Sequence, residues 1–383
     1  MAEKSGGKRR PARGDASQKA VRGGHASQKA APGGDAPRKP TPGTGASERD
    51  AADTADATPR RSHKGLTART PAPALDFSKI RRYRLATRKS LVAHGALGRP
   101  LHAGATFGRF FQGLPDLLAG RELRAAVMAI AEARRARRGV ILGMGAHPIK
   151  VGLSPLIIDL MERGVITGVA MNGACVVHDF ELAYAGSTSE DVGPGLRDGS
   201  FGMAEETGRF LNLAIRQAAP TGAGLGDGLG HVLAGTKLKY RKLSILAAGD
   251  RLGVPVTVHV AIGTDIIHMH PEADGAAIGA TTLRDFHRLA ATVATLDRGV
   301  FVNLGSAVII PEVFVKALNV ARNLGHKVGD LTTIDMDFIR HYRPGVNVLR
   351  RPTEDGGRPI QLTGHHEIMF PLLFSAVLEE LGG

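Results

Sequence analysis

Four polar side chains, His178, Asp179, Glu181 and Tyr184, follow closely on Asn172-Gly173, where an apolar run ends. Carboxylates in such a place hold cationic nitrogens or move protons, and a neighbouring imidazole supplies a second proton-transfer group. Asp265 stands in a comparable place after the apolar run Val254–Ile262. Two histidine clusters complete the reactive groups: His268-Met-His270, just after Asp265, and His365-His366-Glu367 near the C-terminus. An HxH pair on a strand puts two imidazoles on one side, as zinc requires. One reading is therefore a metal-dependent hydrolase built from His268, His270, His365 and Glu367. There is no HExxH and the spacing makes no closed ligand set, so no metal is assigned and polar lining of an amine pocket is the other reading. Plain helix-terminus electrostatics would also account for Asp179 and Glu181, and capping for His365-His366-Glu367.

Small residues recur where the apolar runs stop. Gly143-Met-Gly145, Asn172-Gly173-Ala174, Gly263-Thr264-Asp265 and Asn303-Leu-Gly305-Ser306 each close such a run. Small residues let backbone approach a ligand, and helix N-termini beyond them offer N–H groups to phosphate. Together they favour a nucleotide or another phosphate-bearing ligand. Neither GxGxxG after the first strand nor GxxxxGK[ST] is present. Arg340, Arg343, Arg350 and Arg351 form a basic group that could clamp an anion or simply be solvated. The single cysteine, Cys175, reads as a packed side chain and excludes a disulfide framework.

The elements that must position these groups alternate. Helical spacing over 115–138 precedes a short strand at 139–143. Ser154-Pro155 opens a helix that Gly164 ends, and Ile166–Met171 and Ala174–Ala185 form the next strand and helix. A polar stretch, 186–202, precedes a helix over 203–218, and the glycine-rich run 221–230 reads as a flexible loop. A helix over 237–252, a strand over 254–262 and a helix over 278–296 follow. Then come a strand over 299–304, a helix over 311–324, a strand over 331–336 and a closing helix over 367–381. This alternation implies an α/β fold, with a mostly parallel sheet and helices on both faces.

Size and charge bound the rest. Of 383 residues, 75–383 read as one large α/β domain. Residues 1–74 are rich in Gly, Ala, Pro, Lys and Arg, with three copies of a ten-residue unit beginning at Gly14, Gly24 and Gly34. Such composition predicts a disordered basic tail. The tail holds fifteen Lys and Arg against seven Asp and Glu, hence +8 of the net +14. It could contact nucleic acid or acidic surfaces, although no aromatics interleave to stack on bases. Neither a signal-like apolar segment nor a membrane-length run is present, so a cytoplasmic location is expected.

The motif order from about Arg121 to Met336 resembles the deoxyhypusine synthase-like family. The matching blocks are Ile149-Lys-Val-Gly152-Leu153, Asn172-Gly173 leading to Asp179 and Glu181, Val254-Pro255 followed by Thr264-Asp265-Ile-Ile-His268, and Val302-Asn-Leu-Gly305-Ser306. Asn172-Gly-Ala-(x3)-His178-Asp179-(x)-Glu181 is also similar, more weakly, to the NAD-binding half of archaeal-type ornithine cyclodeaminases. The resemblance implies a Rossmann-like fold, NAD as cofactor, a small cationic amine (a polyamine or basic amino acid) as substrate, and a homo-oligomer, tetrameric in that family. It places the dinucleotide at Gly143, Gly145, Asn172, Gly173, Gly263, Thr264, Asn303, Gly305 and Ser306. Asp179, Glu181 and Asp265 would hold nitrogens, with His178, His268, His366 and Glu367 as proton-transfer candidates. The synthases use a lysine near the C-terminus to form an imine; this chain has none after Lys327, and Pro311-Glu312 stands near the place of a family histidine. Hydride removal from an amine-bearing carbon needs no such lysine, and transfer to an acceptor stays open. A non-catalytic NAD sensor or a nucleic-acid-binding protein with the tail as its arm is a further alternative.

Overall fold

The structure, a computed structural model, describes residues 72–382. The tail expected over 1–74, with its ten-residue units, therefore lies almost wholly outside the described residues. The chain divides into a unit ending at Arg81, in which Phe77–Lys79 forms one helical turn, and a unit beginning at Arg82. The second unit holds six strands: β1 (Val140–Met144), β2 (Gly168–Asn172), β3 (Val256–His259), β4 (Val300–Leu304), β5 (Thr332–Asp337) and β6 (Arg358–Thr363). All neighbouring pairs are parallel and the order is β3-β2-β1-β4-β5-β6.

The helices are, in chain order, α1 (Phe107–Gly113), α2 (Leu118–Arg135), α3 (His147–Lys150), α4 (Ser154–Glu162), α5 (Gly173–Ala185) and α6 (Val192–Asp198). There follow α7 (Glu205–Ala218), α8 (Leu225–Gly235), α9 (Ile245–Leu252), α10 (Gly275–Val293), α11 (Ile309–Asn323) and α12 (His366–Leu381). Strand alternation sorts the core into two layers. Val140, Leu142 and Met144 of β1 pack with Leu123, Val127 and Ile130 of α2. Ile141, Ala170 and Phe301 face the other way, onto Leu289 and Val293 of α10 and Phe314 and Leu318 of α11. No helix among the described residues is long and apolar enough to cross a membrane.

Three local expectations change. The glycine-rich run at 221–230 is not a loop, since most of it enters helix α8. Its glycines serve close packing: a Cβ on Gly226 would lie 1.9 Å from the Val256 carbonyl oxygen, and one on Gly230 would lie 2.7 Å from that of Leu246. The helix expected over 237–252 shortens to α9, because the Ser244 hydroxyl accepts the Ala247 N–H and starts the helix there. β6 has no counterpart in the sequence reading. It carries Pro359, which the outer strand of a sheet tolerates.

Candidate functional site

A parallel sheet brings every strand's carboxyl end to one edge. The order reverses between β1 and β4, where connections diverge to opposite sides and open α/β sheets place a ligand crevice. Gly145 and Gly305 meet there. A Cβ on Gly145 would lie 2.5 Å from the Gly305 carbonyl oxygen, and one on Gly305, whose φ is +66°, would lie 2.6 Å from His366 Cε1. Neither strand end therefore projects a side chain into the crevice. Val308, before α11, contributes no side-chain cap, and the Ser306 hydroxyl accepts the Ile310 N–H at 3.2 Å. Pro311 has no N–H and the Glu312 N–H donates to the Val308 carbonyl at 3.2 Å, so the Ile309 N–H is the one first-turn donor left for a ligand.

Beyond the crevice lies a cluster of rings. His366 is fully buried, with centroids 5.1 Å from His147 and 5.8 Å from Phe338. Its Nε2 lies 3.2 Å from the Met336 carbonyl oxygen, and its Nδ1 has no partner. Burial holds its imidazole below the usual histidine range, against the pull of Asp337. Asn303 donates to Asp335 Oδ1 at 2.8 Å and to the Ser306 carbonyl at 3.0 Å.

The other half of the edge holds a cavity of about 210 Å³ lined by Lys150, His178, Glu181, Glu190, Thr264 and Asp265, among others. α5 begins at Gly173, where the Asn172 carboxamide accepts the Cys175 N–H at 3.2 Å. That start directs His178 and Glu181 toward the cavity and Asp179 away from it. Thr188, from the following loop, donates to Glu181 Oε2 and lies 2.7 Å from His178 Nδ1. With its only proton given to Glu181, the hydroxyl can only accept from His178, so the ring is the Nδ1–H tautomer with a lone pair at Nε2. Burial, then the charge of Lys150, lowers the His178 pKa to about 4. Asp265 is 7% exposed, and its Oδ2 lacks a partner. A Cβ on Gly173 would lie 2.0 Å from that oxygen. Burial raises the Asp265 carboxyl to about 6. His268 sits beside it, its Nδ1 accepting the Gly263 N–H at 3.1 Å.

Short helix α3 joins the two halves: His147, at its start, meets the His366–Phe338 cluster, and Lys150, at its end, lines the cavity.

The remaining candidates lie elsewhere. Asp179 is fully buried and accepts from the Ser244 hydroxyl and, at 2.7 Å, the Ile245 N–H, tying α5 to the start of α9. Gly143 is inside the core, where a Cβ would lie 2.6 Å from Ile310 Cγ2. Glu367 is exposed, 4.0 Å from His365. His268 and His270 lie beyond β3 and His365 beyond β6, at opposite ends of the sheet, so these histidines do not converge. No group of three or more His, Cys, Asp or Glu among the described residues is placed to hold a metal. The arginines have protein partners: Arg340 meets Thr363, Arg343 meets Glu312, Arg350 meets Glu354 and Arg351 meets Asn347. A larger cavity, of about 890 Å³, lies by Val254 and Pro255 at the start of β3, the opposite edge from these groups. The sequence reading missed Thr188, Glu190, His147 and the site role of Lys150. Only Lys150 carried a signal, as the ionisable residue of the block after the first strand.

No family model matches the chain, and neither does any curated protein. Solved structures with a similar arrangement are distant. An arginine dihydrolase of the cyanobacterial ornithine-ammonia cycle, ArgZ, aligns at 12% identity and TM-score 0.44, over 70% of this chain and 34% of its own. An LOR/SDH protein of Methanococcus maripaludis aligns at 16% and 0.42, over 69% of each chain. A deoxyhypusine synthase candidate from Entamoeba histolytica aligns at 11% and 0.48, over 73% of this chain and 95% of its own. This chain thus spans about a third of ArgZ.

Proposed function

We propose that this protein is an NAD-dependent enzyme that oxidises the amine-bearing carbon of a small cationic amine, a polyamine or basic amino acid. The observation that carries the reading is the close meeting of Gly145 and Gly305 at the β1–β4 reversal, joined by α3 to a cavity whose Asp265 has a buried oxygen without a donor. Gly145, Gly305, Ser306 and the start of α11 would hold the dinucleotide, with Asn172, Gly173, Gly263 and Thr264 along the same edge. Bound there, NAD supplies the hydride acceptor.

The chain's own groups bind the amine and manage its proton. Asp265 takes the nitrogen by turning Oδ2, which has no protein donor, from Gly173 into the cavity. With a carboxyl near 6 it is also closer to a working pH than His178, near 4, and so the better proton acceptor of the two. His178 remains neutral and offers Nε2 as a hydrogen-bond acceptor, held in place by Thr188 and Glu181. His268, through its place beside Asp265, and His366 remain proton-transfer candidates in this scheme, whereas Glu367 is exposed past β6 and takes no part. The test is NADH formation across a panel of amines by the full chain and by Asp265→Asn. Equal turnover by both proteins would remove Asp265 from the chemistry.

A further inference from the structure

Three carboxylates line the small cavity, and each has a protein donor, Asp265 through the His268 N–H that it caps. Glu181 accepts from Thr188 and, at 3.3 Å, from Thr207; Glu190 accepts the Gly202 N–H at 2.9 Å. Asp265 Oδ2 accepts from nothing. Lys150, itself exposed, is the one Lys or Arg of the lining, and it forms no ion pair among the described residues. Its charge is nevertheless close enough to hold down the basicity of His178. The cavity thus carries one unpaired cation and one carboxylate oxygen without a donor. At about 210 Å³ it is smaller than the roughly 300–1,000 Å³ of drug-sized ligand pockets. A ligand bearing only amines would leave Lys150 facing like charge.

We propose that Lys150 is a specificity-determining residue that binds an anionic oxygen group of the ligand, while Asp265 accepts from a donor on the same molecule. The proposal rests on the cavity being a ligand site, as the functional reading has it. The anion is a carboxylate if the ligand is an amino acid, and a phosphate if this end of the cavity takes part of the dinucleotide. Both present charged oxygens to an ammonium, and the experiment tells them apart.

Calorimetry on the full chain, on Lys150→Met and on Lys150→Arg would use three probes: lysine, cadaverine (the same molecule without its carboxylate) and inorganic pyrophosphate. A charge-assisted hydrogen bond changes affinity by roughly ten- to a hundred-fold. If the anion is a carboxylate, wild type binds lysine at least about tenfold more tightly than cadaverine. Lys150→Met abolishes that preference and Lys150→Arg retains it. If the anion is a phosphate, pyrophosphate binding shows the same loss and the same rescue. The proposal is overturned if wild type binds no anionic probe, if cadaverine binds as tightly as lysine with no pyrophosphate binding, or if Lys150→Met leaves the anion affinities unchanged. Anion binding without NADH formation from any amine would retain this role for Lys150 and remove the oxidation.

Discussion

Replacing Asp265 with Asn should stabilise the protein near pH 8 while it damages ligand binding. Burial raises the Asp265 carboxyl from 3.8 to about 6, so the folded protein holds its proton more tightly than the unfolded chain does. Where the folded state binds more protons, stability falls as pH rises. The destabilisation is absent below about pH 4, grows between 4 and 6, and is complete above 6. A shift of about two units corresponds to roughly 3 kcal/mol at about 1.4 kcal/mol per unit. Asn keeps the shape and can still accept the backbone N–H of His268 that the carboxylate caps. Asp265→Asn should therefore gain on the order of 2–3 kcal/mol at pH 8, or about 5 °C in Tm at roughly 2 °C per kcal/mol for a domain of this size. The gain should vanish by about pH 4. Asp179, Asp285 and Asp335 are also raised, so only the difference between wild type and variant isolates Asp265. Thermal melts from pH 4 to 8 measure it. A variant less stable than wild type at pH 8 would show that the carboxylate is already satisfied in the fold, and would refute its role as a waiting acceptor.

Lys150→Met should raise the pKa of His178 above about 4, since the Lys150 charge helps lower it; NMR titration of the ring reads this directly. Thr188→Val removes both the acceptor for His178 and the donor to Glu181, so the ring's nitrogen-15 shifts should report a tautomer mixture. Gly305→Ala meets His366 at 2.6 Å at a φ of +66° and should weaken NAD binding while sparing amine binding, since Gly305 does not line the amine cavity; calorimetry reads both. Gly226→Ala, facing a carbonyl oxygen at 1.9 Å, should cost several kcal/mol or prevent folding, seen in denaturant melts; an unchanged midpoint would return this stretch to a loop.

The alternation of buried runs and helical spacing made the layered parallel sheet legible, because strands covered on both faces read as unbroken apolar segments. Strand ends were legible for the same reason: Asn172-Gly173 and Gly305-Ser306 interrupt such runs and do lie on the carboxyl edge. What each residue faces was not. Asp179 and Glu181 look alike in sequence, yet two positions apart on a helix they point to nearly opposite sides, and one turns to Ser244 and the other to Thr188. The glycines of α8 looked like flexibility because their neighbours, Val256 and Leu246, approach only in three dimensions. Thr188 gave no signal in a loop of similar small polar residues, and Lys150, marked only as the ionisable residue of its block, gained a role once Asp265 and His178 were seen lining the same cavity.

The most direct measurement of the central claim is calorimetric titration of the full chain with NAD, followed by absorbance detection of NADH with a panel of polyamines and basic amino acids. NAD should bind saturably, and amines should then drive NADH formation that Asp265→Asn suppresses. The absence of NAD binding at millimolar concentration would contradict it.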